Sequence, residues 1–140
     1  MEEYPKLFTL EEARKILPEI KLKLEKAKKL NKSLNLLKSI QIEQEDSTDI
    51  GNLALLEFAT KQYKLLHLIF AELFEISKKG AIVKDLDEGL IDFHSQYEGK
   101  EILLCWKYGE NTINYWHDLE SGYAGRKHVS LLNNNEIEDQ

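Results

Sequence analysis

Four polar side chains in the C-terminal half have the types that build small catalytic or binding sites: Asp92, Glu110, His117 and Arg126. A carboxylate beside an imidazole can trade a proton as an acid/base pair or hold a divalent metal. A guanidinium can clamp a carboxylate or phosphate through two parallel hydrogen bonds. Strand alternation places Leu90, Asp92 and His94 on one face and Ile91 and Phe93 on the other. A carboxylate among strand-core residues needs partners to offset its burial. His117 follows two aromatics, and Arg126, one of two arginines against 17 lysines, follows the Gly122-x-x-Gly125 segment. Asp92, Glu110 and His117 are therefore the candidate catalytic residues, Asp92 and His117 the candidate ligands of a divalent metal, and Arg126 the candidate anion-binding group. The competing reading is structural, with Asp92 accepting backbone N–H groups or pairing with Arg126 and His117 bonding across the sheet. No H-x-x-x-H, E-x-x-H or clustered cysteine motif reinforces the metal assignment. Cys105, the one cysteine, directly precedes Trp106. It reads as a buried small hydrophobe, because reactive thiols need a cationic, partly exposed setting.

The elements that must position these residues are legible in the hydrophobic periods. Thr9 with Glu12 fits a capping box, and Phe8 stands where a hydrophobic staple would. A helix is predicted from about Leu10 to Ile42, with Ala13, Leu17, Ile20, Leu24, Ala27, Leu30, Leu34 and Leu37 on one stripe. Pro18 inside it predicts a kink near Arg14 to Leu17. The polar segment 43–49 reads as a turn, and a second helix is predicted from Ile50 to Lys78. That helix carries two apolar stripes. One holds Leu56, Ala59, Tyr63, Leu66, Phe70 and Leu73; the other holds Phe58, Leu65, Ile69 and Ile76. His67 lies at the edge of this arc, as a boundary residue. Lys78, Lys79 and Gly80 read as the helix C-terminus.

From Gly80 the period changes to two. Four short runs, AIVKD, GLIDFH, KEILLCWK and TINYWHD, are separated by 86–89, 95–99 and 109–111. Trp106 and Trp116 are expected on core-facing sides. The fold class is thus α+β: a long antiparallel helical hairpin followed by a small four-stranded antiparallel β-meander. The boundaries are one domain over 1–140, comprising a hairpin at 1–79, sheet and loop at 80–129, and a mobile polar tail at 130–140.

Composition narrows the function classes. The 140 residues are 42% hydrophobic and 31% charged, enough to bury a core. No apolar run approaches membrane-spanning length, so no membrane partner is expected. The N-terminus has no cationic segment followed by a long apolar one, which makes the cytoplasm the expected compartment. The net charge of −6 is uneven: residues 1–80 hold 14 basic and 13 acidic groups, residues 81–140 hold 5 and 12. An acidic C-terminal half argues against nucleic acid as partner. Lys21, Lys23, Lys26, Lys28, Lys29 and Lys32 spread around the first helix and read as a solvated face.

Several strings together resemble a known family. They are Phe8-Thr9-x-x-Glu12-Ala13-Arg14-x-x-Leu17-Pro18, Val83-Lys84-Asp85, Gly89-Leu90-Ile91-Asp92-Phe93, Leu104-Cys105-Trp106-x-x-Gly109-Glu110 and Tyr115-Trp116-His117-x-x-x-x-Gly122-Tyr123-x-Gly125-Arg126. They are similar to the DUF2203 family of uncharacterised bacterial and archaeal proteins, over about residues 8–127. The departure is His94, where the resemblance implies proline. The resemblance implies no activity, cofactor or site assignment. The function expected first is a homo-oligomeric interaction protein, a homodimer through the hairpin, because one facing helix covers only one stripe. Phe58, Leu65, Ile69 and Ile76 are then expected to need a partner surface, and the far end around Leu36, Ile40, Leu53 and Phe58 to remain uncovered by the sheet. The alternative is a small hydrolase-like enzyme or ligand- or metal-binding protein acting through the polar site, with a small-molecule ligand.

Overall fold

A computed structural model describes residues 5–40 and 49–132. Helix α1 spans Leu10–Ser39 and helix α2 spans Asp49–Lys78. Five strands follow: β1 Ala81–Asp85, β2 Leu90–Tyr97, β3 Lys100–Lys107, β4 Tyr115–Asp118 and β5 Lys127–His128. They form one antiparallel meander in chain order. The sheet therefore has five strands where four were expected. The fifth is a two-residue strand pairing Lys127 and His128 with Trp116 and Tyr115, too short for periodicity to mark.

Helix α1 begins where the local chemistry dictates. The Thr9 hydroxyl accepts the Glu12 N–H at 3.1 Å and the Glu12 carboxylate accepts the Thr9 N–H at 2.9 Å, so two orphan donors are satisfied reciprocally. Phe8 is buried edge-on against Phe93 at 5.2 Å between ring centres. Its own N–H donates to the His94 carbonyl and its carbonyl accepts the Ser95 hydroxyl. The entering chain is thereby stitched to β2. The helix continues through Pro18 as one element. It ends at Ser39 with Ile40 extended, short of the expected Ile42. Of the expected turn at 43–49, Asp49 already belongs to α2 and the rest lies outside the described residues. Of the expected mobile tail at 130–140, residues 133–140 lie outside the described residues, whereas 130–132 belong to the fold, with Leu132 buried in the core.

The two helices run antiparallel side by side, with ion pairs Glu19–Lys79 at 3.1 Å and Lys26–Glu72 at 3.2 Å as successive rungs. At the end of α2, Gly80 adopts φ +96°, and a Cβ there would press on the Phe8 ring at 3.0 Å. A side-chain-free residue is needed both for the left-handed turn and for the close approach.

One face of the sheet packs on the hairpin. Ile91, Phe93, Ile102, Leu104 and Trp106 join Leu17, Ile20, Leu24 and Ile76 in a single buried cluster. Trp106 is fully buried, as expected; Trp116 is half-buried against the same cluster. Side chains of α1 also tie down the connections between strands, Arg14 holding the Ile113 carbonyl at 2.8 Å and Lys28 that of Asp87 at 2.7 Å.

The stripes of α2 are assigned to partners in the opposite sense from the sequence expectation. Ile69 and Ile76 are buried and Phe58 and Leu65 half-buried within the chain. The side left open carries Leu53, Leu56, Tyr63, Phe70 and Phe74. Both stripes are apolar, and only the placement of α1 and the sheet decides which is covered. Of the four far-end residues expected to be uncovered, Leu36, Ile40 and Leu53 are exposed and Phe58 is half-buried.

Candidate metal centre

The other face of the sheet carries the polar residues. The β2–β3 hairpin turns on Glu98 and Gly99, both at positive φ, +51° and +75°, the geometry of a two-residue hairpin turn. The expected turn at 95–99 thus narrows to two residues, and β2 lengthens to Tyr97 while β3 keeps its expected bounds. Counting back along the ladder sets Asp92 opposite Cys105 and Leu103 opposite both His94 and His117. Asp92, Cys105 and His117 therefore share a face, opposite in parity to Ile91, Leu104 and Trp106.

These three side chains converge. One ligating atom from each lies within 4.8 Å of the others, and the residues are 2%, 1% and 3% exposed respectively. The His117 Nε2 stands 3.3 Å from the Asp92 Oδ2. The His117 Nδ1 is 2.7 Å from the Asp118 carbonyl oxygen, an acceptor, so Nδ1 must carry a proton. In a neutral imidazole that leaves a lone pair on Nε2 facing a carboxylate. The second carboxylate oxygen, Asp92 Oδ1, is buried without a hydrogen-bond partner in the described chain. Burial pushes the Cys105 thiol up to about 12, and the nearby Asp92 carboxylate adds to the rise. A thiol held so far up is protonated and a poor nucleophile at neutral pH. The arrangement also differs from a Cys-His-Asp triad, in which the acid holds one ring nitrogen and the thiol faces the other. Here the Asp118 carbonyl occupies Nδ1, and Asp92 meets Nε2.

A cavity of about 250 Å³ opens on the cluster, walled by Leu90, Leu103 and Leu119, with Lys84, Glu120, Gly122 and Tyr123 completing it. The loop after β4 forms its roof. Asp118 starts that loop by accepting the N–H groups of Glu120 at 3.0 Å and Ser121 at 2.7 Å. Those bonds, that of Ser121 foremost, hold its carboxyl below the ordinary carboxylate range. Within the loop, Gly125 passes so close to Ser121 that a Cβ would overlap it.

Glu110 and Arg126 are placed beside the cluster, outside the cavity wall. They pair with each other at 2.6 Å, so Arg126 is a partner of Glu110 and not of Asp92. Glu110 also accepts the Lys107 N–H at 2.6 Å. Arg126 donates to the Cys105 carbonyl at 3.3 Å and lies between the rings of Tyr115 and Tyr123, 4.1 and 4.8 Å from their centres. Its guanidinium fixes the strand under Cys105 and the Tyr123 ring that walls the cavity; both bonds run from Nη2, and Nε is buried without a hydrogen-bond partner among the described residues. His94 stays within β2, its Nδ1 2.7 Å from Glu101. The four sequence candidates are thus two pairs, and Cys105 is the residue between them that sequence reasoning set aside. A two-residue turn at 98–99, applied to the sequence, is the signal that registers Cys105 against Asp92.

The strings quoted from the sequence now have places: they supply the helix cap, the buried strand face, the three converging side chains and the roofing loop. Residues 6–129 match the family described as "Uncharacterized conserved protein (DUF2203)". The chain belongs to that family. No curated protein and no solved structure matches it. No helix among the described residues is long and apolar enough to cross a membrane.

Proposed function

We propose that this DUF2203 protein is a metal-binding protein, with Asp92, Cys105 and His117 holding a divalent transition metal at the floor of a small ligand cavity. The observation that carries the reading is the buried facing of His117 Nε2 and Asp92 Oδ2 at 3.3 Å with Asp92 Oδ1 unpartnered among the described residues; with a neutral imidazole both facing atoms are acceptors. A cation between them turns that repulsion into coordination. The alternative is an imidazolium–carboxylate pair, which needs no metal. The Asp118 carbonyl on Nδ1 supports the metal reading, because ligating histidines characteristically donate their other N–H to such a group.

The donor set of one sulfur, one nitrogen and one carboxylate oxygen fits zinc better than magnesium or calcium, which take oxygen ligands. Tetrahedral zinc with bonds of 2.0–2.3 Å needs ligand atoms about 3.3–3.8 Å apart. A span of 4.8 Å is thus within about 1 Å of a closed site. A bound cation also stabilises the thiolate of Cys105 against its burial.

Three protein ligands leave a fourth position for water or substrate, the pattern of catalytic rather than structural zinc. A metal held there would supply an activated water, the nucleophile of hydrolysis. Glu120 supplies a carboxylate on the same cavity as proton acceptor, and Lys84 a positive charge for an anionic group of the substrate. The 250 Å³ volume suits a ligand of few heavy atoms.

Adding cobalt(II) to the metal-free protein tests this. The expected result is a thiolate-to-metal charge-transfer band that Cys105→Ser removes, with a rise in melting temperature that Asp92→Asn and His117→Ala abolish. His128→Ala, outside the cluster, keeps both. A native protein with neither band nor shift in cobalt, zinc or manganese overturns the proposal.

A further inference from the structure

The open side of α2 repeats with a period that a free surface does not require. Leu53, Leu56, Tyr63, Phe70 and Phe74 are 58%, 63%, 72%, 59% and 62% exposed. With exposed Thr60 and His67 between them, the spacing is 3, 4, 3, 4, 3 and 4 along the helix. That is the alternation of a coiled-coil seam, seven residues per two turns. The buried stripe with Ile69 and Ile76 faces α1 and the sheet, so the seam is a second contact surface that nothing among the described residues covers.

The order of residues on the seam identifies its occupant. Read from either end it shows the same pattern, two apolar residues and then a polar one, with Tyr63 at its centre. An antiparallel copy sets Leu53 against Phe74, Leu56 against Phe70, and Thr60 against His67, while Tyr63 meets itself. Each apolar rung then pairs a leucine with a ring, large against small, as interdigitating layers require. A two-fold interface must be self-complementary in this way: residue i touches j, and j touches i.

The area suffices. Rings of roughly 150–250 Å² each, at the exposures above, present about 400 Å² on Tyr63, Phe70 and Phe74. With the seam leucines, on the order of 500 Å² of apolar surface per copy is available, or about 1,000 Å² over two copies before any polar rim is counted. The total reaches the size at which specific interfaces begin, and the patch on one copy lies in the upper part of the range of about 300–600 Å² that the largest, often functional, patch of a monomer spans.

We infer that the occupant of this seam is a second copy of the chain, its α2 packed antiparallel about a two-fold axis at Tyr63. The inference is independent of the metal centre, which lies on the far face of the sheet from the hairpin.

Light scattering at micromolar concentration reads the state. The expected mass is about 33 kDa, twice the 16.3 kDa of one chain. Tyr63→Glu with Phe70→Glu should give a folded 16.3 kDa monomer, because both side chains are exposed within the chain and its core is untouched. Cysteine substitution then reads the register, with little background because Cys105 is buried. Tyr63→Cys should link to itself on oxidation, whereas Phe74→Cys should link to Leu53→Cys and not to itself. A native mass of one chain up to 100 µM overturns the inference, and so does self-linking of Phe74→Cys, which marks a parallel pairing. A monomer that sediments with phosphatidylcholine vesicles overturns it too, by making the seam a lipid-facing surface.

Discussion

The two faces of the sheet share the same strands and differ in every other respect. Against the hairpin lie Ile91, Phe93, Leu104 and Trp106, closed in by two helices of 30 residues each. One residue along each strand, facing away, lie Asp92, Cys105 and His117, covered by one loop. The first face stabilises through apolar area removed from water, about 25 cal/mol per Å². The second buries a carboxylate, a thiol and an imidazole with incomplete partners, an arrangement that costs stability unless something completes it. The contrast teaches that the fold is carried by one face and leaves the other free for chemistry.

Substitutions on the two faces should therefore fail differently. The largest loss is expected from Trp106→Ala, about 3–5 kcal/mol from the cavity it leaves, read as a lower urea midpoint with or without metal. Trp116→Ala, from a half-buried position, should cost less; equal costs would contradict the assignment of the core face. On the polar face, zinc at 100 times its dissociation constant should stabilise the native chain by about 2.7 kcal/mol, and His117→Ala should erase that gain. Arg126→Ala should cost about 1–3 kcal/mol by leaving the part-buried Glu110 carboxylate unpaired. It should also weaken metal retention through the unsupported Tyr123 wall. Thr9→Ala should have the smallest effect, about 1 kcal/mol from the lost cap, and should leave metal binding unchanged.

The pH dependence sharpens the same contrast. In the metal-free protein Cys105 is raised from an ordinary 9.0 to about 12. A raised thiol favours the folded state fully below pH 9, and that contribution is lost as pH rises from 9 towards 12. Metal-free protein should therefore lose stability across that window, with a slope that Cys105→Ala reduces. The same thiol should resist alkylation at pH 8 until the chain unfolds.

Features governed by neighbouring residues were legible in the sequence. The Thr9–Glu12 cap, the left-handed Gly80 and the alternation of β2 and β3 all depend on contacts a few residues apart, and each stands where the sequence puts it. Features governed by register or by tertiary placement were not. The two stripes of α2 are equally apolar, so their assignment needed the position of α1. Glu110 and Arg126 pair across 16 residues through a loop whose path no periodicity reveals. Cys105 beside Trp106 looks like core, and only the pairing with Asp92 across the hairpin shows that it faces away from it.

The central claim is that Asp92, Cys105 and His117 form a metal site, and metal stoichiometry tests it most directly. Metal-free protein loaded with zinc, dialysed against metal-free buffer and analysed by elemental mass spectrometry should retain one zinc per chain. Asp92→Asn, Cys105→Ser and His117→Ala should each retain less than a tenth of that while His128→Ala retains it in full. Folded native protein holding no zinc, or a zinc content indifferent to the three substitutions, would contradict the account.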